Sequence, residues 1–345
     1  MKALVLAGGT GSRLRPLTYS LPKQLIPVAN EPVLRHCLEN IRVMGVRQVG
    51  IVHGEHGEQI RAAFGDGSAL GLHLTYIRQE RPAGLAHCVR IAADFLADED
   101  FVLYLGDNVV VGDLAGAADE FRAHRPAAKL LLATVADPSR YGVADLRPDG
   151  GLRAVVEKSP RPPSHLAIMG VYFFTSAICA AARRITPSAR GELEITDAIQ
   201  HLIDAGQTVS ARPFTGLWKD TGTVEDLLDC NRLLLDRLPP EIAGEVDAGT
   251  VVHGSVTVER GARVTRSVLR GPLVLGAGTV VEDSQIGPYV AVGPECKVQN
   301  AVVRGSILLA GAVIRGHPPV IGEITNGWWH MRAPANPSVQ DWSAS

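Results

Sequence analysis

The sequence predicts an α/β domain over residues 1–238, then a parallel β-helix over 245–316 and a short tail, 317–345. Three patterns carry that reading. Up to about residue 237, short apolar runs such as KALVLA, VRQVGIVH and FVLYLGDN alternate with amphipathic stretches, the texture of a parallel sheet whose strands are joined through helices. Beyond Pro239 and Pro240 helical periodicity vanishes, and aliphatic residues fall at 246, 252, 258, 264, 269, 275, 281, 286, 292, 298, 303 and 309. The steps are mostly six with a five at every third place, so 252 to 269, 269 to 286 and 286 to 303 each span 17 residues. That spacing describes a triangular solenoid of about four coils, with three short faces per coil and one inward side chain per face.

In the first domain the periodicity predicts helices from Val33 to Met44 and over 84–97, 113–124, 175–184, 194–205 and 223–237. His53 and His56, in HGEHGE, read as a solvated, glycine-flanked loop and not as a metal pair. From His317 the solenoid pattern fails. The tail holds Pro318, Pro319, Pro334 and Pro337 with Trp328, Trp329 and Trp342, which suits a cap packed over the open end of the solenoid.

Composition narrows the function. At 345 residues the chain is long enough for two cores, and 46% apolar content fills them. A net charge of -2 and a pI near 6.6 argue against a general nucleic-acid binder, which depends on a basic surface. Cys37, Cys88, Cys179, Cys230 and Cys296 are odd in number and scattered, with neither a CxxC pair nor a disulfide framework, so reduced thiols in a cytosol are expected. No 18-residue apolar segment predicts a membrane span.

The most specific local signal runs from Leu4 to Pro27, LVLAGGTGSRLRPLTYSLPKQLIP. Leu4 to Ala7 read as a buried strand, and Gly8, Gly9 and Gly11 then let backbone N–H groups approach an anion closely. Arg13, Arg15 and Lys23 add positive charge, although Arg15, beside Pro16, also reads as a plain surface cation. A P-loop would need Lys-Ser or Lys-Thr after the glycines, and a dinucleotide fingerprint would need glycine where Leu14 stands. Neither fits.

GGxGxRLxPLT followed by PKQLIPV resembles instead the sugar-1-phosphate nucleotidylyltransferases, which join a nucleoside triphosphate to a sugar 1-phosphate and release pyrophosphate. PVANEPV, RPAGLAHC, RGELEITDAIQ, WKDTG and the terminal solenoid extend the likeness over residues 1 to about 315, toward the long form of the thymidylyl branch that acts on glucose 1-phosphate. The resemblance implies a Rossmann-like nucleotidyltransferase domain with a mixed sheet, a left-handed β-helix, a homo-oligomer, and service in routes to deoxysugars.

By the same resemblance Gly8, Gly9, Gly11 and Ser12 hold the nucleotide, while Arg13 and Lys23 bind its triphosphate and stabilise the departing pyrophosphate. Gln24 and Gln79 resemble the pair that reads a pyrimidine edge, with Gly84 allowing the base to approach; an amide offers the donor and acceptor that thymine or uracil requires, so dTTP or UTP is expected. LGDN and W-x-DTG resemble two metal-binding segments, which assigns Asp107 and Asp220 to Mg²⁺. Taken alone, Asp220 could equally cap the helix beginning near Val224, together with Thr221 and Thr223.

The sugar side is implied by LGDN, VVEKSP, RYGVA and AIMGVYFF. Lys158 pairs with the sugar phosphate and counts with Arg13 and Lys23 among the catalytic cations, Glu157 meets hexose hydroxyls, and Asp107, Asn108, Tyr141, Gly142 and Ile168 border the ring. Ser159 interrupts the EKP that many relatives carry, and GELEITD at 191–197 has no residue-level role on sequence alone. Two rival classes use similar parts. A hexapeptide acyltransferase would need a catalytic histidine between coils, where only His253 and His317 are at hand, and a non-catalytic nucleotide-sugar sensor would lack some of Arg13, Lys23, Asp107, Lys158 and Asp220, all of which are present.

Overall fold

The computed structural model describes residues 1–316 and 318–333. They form two compact units. The first takes in Met1–Gly11, Pro22–Gln24 and Leu34–Trp218; the second takes in Ser12–Leu21, Leu25–Val33 and the described residues from Lys219 onward.

The first unit is built on a nine-stranded mixed sheet. Its centre is parallel: Lys2–Ala7 lies between Gln48–His53 and Phe101–Leu105, with Val5 in register with Ile51 on one side and Tyr104 on the other. Ala3 to Ala7 are all buried, as a strand covered on both faces requires. Helices Val33–Val43, Gly57–Phe64 and Leu85–Ile91 make the crossovers that parallel strands need. Leu166–Phe174 instead runs antiparallel to both Phe101–Leu105 and Ala128–Thr134. No helix separates Gly142–Leu146 from Leu152–Glu157; a tight turn, closed by Arg147 N–H donating to Gly151 O at 2.7 Å, makes them an antiparallel hairpin. The mixed sheet therefore agrees with the family resemblance, where strand–helix alternation by itself predicts a parallel one.

Because Leu6 and Leu105 are in register, both strands leave the sheet at the same level, and Gly106 N–H donates to Leu6 O at 2.9 Å. Gly8 and Asp107 accordingly emerge at one carboxyl edge, where open α/β sheets gather ligands. Helices at Leu114–His124, Ala177–Arg184 and Ile195–Asp204 stand close to their predicted limits, while the stretch 84–97 is broken at Ala92 into Leu85–Ile91 and Ala93–Leu96. HGEHGE is not all loop: His53 ends a strand and Gly57 opens a helix. A Cβ on Gly57 would lie 2.0 Å from His53 Nδ1, so packing against that ring favours glycine at the first residue of the helix.

In the second unit the solenoid is present as three stacks of short parallel strands, two of them five-stranded, running from Glu241 to Thr325. Val258, Val264, Leu269, Leu275, Val281, Ile286, Val292, Val298 and Val303 fill its interior. Two of the positions expected inside differ. Val252, in the first coil, is 41% exposed. Further on, Val292 pairs with Leu308 and not Leu309, because that coil is one residue shorter. Corners repeat as well as faces: Arg266, Asp283 and Asn300 all have positive φ, and the hydroxyls of Ser267 and Ser284 each accept the N–H of the coil above, from Ser284 and Ala301, at 3.1 Å.

The second unit also includes the helix Val224–Leu235, which the sequence assigns to the first domain. Buried Asn231 explains the attachment: its Oδ1 accepts Ala29 N–H at 2.8 Å, and Arg232 lies over the Tyr289 ring. At the far end, the strands continue past His317. Val320–Ile321 extends the stack of Val302–Arg304, Glu323–Thr325 extends that of Ile307–Leu308, and His330–Arg332 closes the edge antiparallel. Trp328 is 91% exposed among the described residues; Pro334, Pro337 and Trp342 lie outside them.

Ending the chain after Gly316 removes these closing strands and uncovers the edge of the coil beneath. Calorimetry and light scattering should record a melting temperature lower by at least about 5 °C, with concentration-dependent aggregation; unchanged melting and solubility would show that the last strands do not protect the end.

Candidate active site

At the carboxyl edge of the first unit, Lys23 Nζ lies 2.5 Å from Asp107 Oδ2, with the lysine only 7% exposed. Asp107 Oδ1 accepts from Asn108 Nδ2 at 2.9 Å, and Asn108 Oδ1 accepts the indole N–H of Trp218 at 2.6 Å. Trp218 in turn meets the edge of Tyr141, ring centroids 5.3 Å apart. Asn108 is buried over Gly170, where a Cβ would come within 2.4 Å of its Oδ1, so its orientation is fixed from both sides. The charge of Asp107 reaches further: burial first, and that carboxylate second, push the Cys37 thiol far above its ordinary range.

The chemistry of these donors fits the metal that the family implies. Asp107 offers hard oxygen, and among the described residues no group of three or more His, Cys, Asp or Glu gathers into a cage. A cation held here must complete its shell with phosphate oxygens and water, as Mg²⁺ commonly does.

The nucleotide-side residues of this unit also gather. A Cβ on Gly8 would stand 2.9 Å from Gln79 Oε1, and one on Gly9 would stand 3.9 Å from Gln24 Nε2. Both glutamines are buried. The Gln79 amide nitrogen lies 3.1 Å from His87 Nδ1 and 3.2 Å from Cys88 Sγ. Burial, then Arg81 and Arg90, lower the His87 pKa, so the imidazole is neutral at neutral pH, and in the tautomer that carries its proton on Nε2 the Nδ1 accepts from the Gln79 amide. Gly11 takes φ +62, the left-handed turn that glycine allows.

Gly84 has a structural reason of its own. At φ +96 its Cα is pressed on Leu193, whose carbonyl oxygen would lie 2.4 Å from a Cβ. Leu193 N–H donates to Ala83 O and Leu193 O accepts from Ala86, which gives GELEITD a role as a clamp on the loop before helix Leu85–Ile91.

On the sugar side, a Cβ on Gly142 would meet Thr196 Cγ2 at 2.9 Å, Glu157 Oε2 at 3.1 Å and Ile168 Cδ1 at 3.7 Å, so the structure brings Gly142, Glu157 and Ile168 together. Thr196 Oγ1 donates to Glu157 Oε2 at 3.1 Å. Lys158 Nζ and Arg190 Nη1 stand 3.7 and 3.5 Å from Glu157 Oε1. Lys158 is held by its backbone N–H donating to Tyr141 O at 3.0 Å. Arg190 also pairs with buried Glu194, whose pKa is raised by burial and held back by Ser188 and Arg190. Arg190, Thr196 and Glu194 sit in or beside GELEITD, and Trp218 in WKDTG, so the motifs had marked their neighbourhood without their roles. His87 carried no signal beyond its place in GLAH.

The second unit holds Ser12, Arg13 and Asp220. Ser12–Leu14 forms a single 3-10 turn, and Arg13 lies against the DTG segment, with Nη2 2.8 Å from where a Gly222 Cβ would be. Of the capping alternative, the part given to Thr223 holds. Thr223 is the N-cap of helix Val224–Leu235, its Oγ1 accepting Asp226 N–H at 3.2 Å. Arg15 stacks on exposed Tyr19, 5.1 Å from the ring centroid, as a surface cation would. Elsewhere all five cysteines are buried and free, with Cys88 and Cys230 thiols pushed up to about 12 by burial, and among the described residues no helix is long and apolar enough to cross a membrane.

Comparison with known proteins shows what the chain is similar to. The nucleotidyl transferase family profile matches residues 2–237. A glucose-1-phosphate thymidylyltransferase of Streptomyces griseus is 52% identical over 316 residues, 92% of this chain and 89% of that protein. One of Streptomyces antibioticus is 50% identical over 325 residues, 94% of this chain and 91% of that protein. Among solved structures, a Bacillus anthracis protein described as a glucose-1-phosphate thymidylyltransferase in complex with sucrose aligns with TM-score 0.64 and 34% identity, over 68% of this chain and 94% of that one. With a family match over most of its length and half its residues shared with near full-length relatives, the chain belongs to the nucleotidyl transferases, in the group of the glucose-1-phosphate thymidylyltransferases.

Proposed function

We propose that this protein transfers a thymidylyl group from dTTP to glucose 1-phosphate in the cytosol, releasing pyrophosphate and using Mg²⁺. The observation that carries the mechanism is the Lys23–Asp107 pair, a buried cation and a half-buried carboxylate set side by side at the edge where strands Lys2–Ala7 and Phe101–Leu105 end.

Two polyanions must meet, so mutual repulsion is the obstacle. The sugar phosphate needs no general base, because a phosphomonoester has its second pKa near 6 and is ionised at pH 7. Lys23 and Arg13 bind the triphosphate and stabilise the pyrophosphate as it leaves, and Lys158 binds the phosphate that attacks. Asp107 and Asp220 would hold Mg²⁺, which when bound neutralises phosphate charge and orients the displacement. Gly8, Gly9, Gly11 and Ser12 shape the loop around the phosphates. Glu157, oriented by Thr196, accepts from a hexose hydroxyl, and Asn108, Tyr141, Gly142 and Ile168 form the wall of the sugar subsite.

Gln24 and Gln79 read the base. With its nitrogen turned to His87 and Cys88, Gln79 keeps its oxygen for a ring N–H, which thymine and uracil carry at N3 and cytosine lacks. Thymine differs from uracil by one methyl, about 0.8 kcal/mol when buried, so dTTP is favoured over UTP only a few-fold.

Arg13→Ala should lower kcat/KM by roughly 10² to 10³ with melting unchanged, measured as pyrophosphate release; near wild-type turnover would overturn the role given to Arg13. Treatment with EDTA should abolish turnover and added Mg²⁺ restore it. His87→Leu should raise KM for dTTP and narrow the preference for dTTP over dCTP by about tenfold, leaving kcat in place. The pH dependence has a definite sign: the His87 pKa is lowered, so affinity for dTTP holds at neutral pH and falls on the acid side of the ordinary histidine pKa, as Nδ1 gains a proton and can no longer accept. KM measured against pH should show that acid limb in the wild type and not in His87→Leu.

A further inference from the structure

One stack of the solenoid gathers cations in a file. Val252, Leu269, Ile286, Val303 and Val320 are in register along it, so the next residue in each coil forms a second row: His253, Arg270, Gly287, Arg304 and Ile321. Along that row opens a cavity of about 330 Å³, lined by His253, Arg270, Arg304 and corner residues that include Gly287 and Pro288. None of its described lining residues is acidic.

The row has a gap in its middle. Successive coils are about 4.8 Å apart, which puts the backbones of Arg270 and Arg304 about 9.5 Å apart with Gly287 between them. A Cβ at Gly287 would lie 1.8 Å from Arg270 O, so the position excludes every other residue. Neighbouring cations of the solenoid are neutralised from the adjacent coil: Arg266 by a two-pronged contact with Asp283 at 2.8 and 2.7 Å, and Arg263 by Glu245. Arg270 is exposed, has no ion pair among the described residues, and has no acid in register with it.

A guanidinium fork matches phosphate oxygens in geometry and charge, and two arginines lining one cavity, two coils apart with a glycine between them, suit an anion longer than one phosphoryl group. We propose that this face of the β-helix binds a di- or triphosphate, at a site within the second unit and separate from the residues assigned to catalysis. His253, beside Arg270 in the same row, supplies a third donor.

The test is calorimetric titration of the full, metal-free chain with inorganic tripolyphosphate. Wild type and Arg13→Ala should both show a site whose affinity drops about a hundredfold in the Arg270→Gln/Arg304→Gln double variant, about tenfold for each lost charge-assisted contact. Arg270→Lys, which keeps the charge and loses the fork, should fall between. The double variant should melt and turn over like wild type, since neither arginine is in the catalytic set. Repeating the titration with ADP distinguishes sources: tighter binding than inorganic pyrophosphate assigns a nucleotide, and equal binding assigns the phosphate chain alone. Superimposable isotherms for wild type and the double variant, or a site lost in Arg13→Ala and retained in the double variant, would overturn the proposal.

Discussion

The catalytic unit depends on a register. Leu6 opposite Leu105 makes two parallel strands end together, and from that level the chain delivers a glycine turn on one side and Asp107 on the other. Parallel strands can be neighbours in this way only because helices carry the chain back across the sheet, so the amphipathic stretches and the acidic edge belong to one design. Lys23 then completes the edge by packing its ammonium against that carboxylate.

A half-buried pair of this kind is weak support for stability, because what the two charges gain from each other is offset by the water they give up. Its value is positional. Each member is held where a polyphosphate and its counter-cation would need it, and each neutralises the other until they arrive. Asn108, Trp218 and Gly170 extend the same logic one layer outward: the amide is fixed by an indole donor on one side and by the absence of a side chain on the other, which leaves Asp107 a single orientation.

Much of this was legible in the sequence because short motifs are backbone requirements. The glycines after Leu4 to Ala7, the LGDN turn and the 17-residue period each report a constraint that few other residues satisfy, and the structure has strand, turn and coil where they indicate. What escaped was long-range. Asn231 gives no local sign that it holds Ala29, 202 positions away, so the texture change at Pro239 hides the helix that joins the second unit. Arg190 and Thr196 meet Glu157, and Gly57 meets the His53 ring, only after folding. The one-residue slip between Leu308 and Leu309 follows from a shortened coil that no fixed period describes.

The two units are built on opposite economies of side chains, and that difference determines where chemistry can be sited. In the α/β unit a few long-range pairs place each reactive group, so one substitution can displace it. In the solenoid each residue repeats its neighbour one coil away, and the same corner hydroxyls and inward aliphatics recur. A repeat supplies stability by default and specificity only where it is broken. Along the row from His253 to Ile321 the break is Gly287: every other coil contributes a side chain, and the missing one leaves a space bounded by cations on both sides.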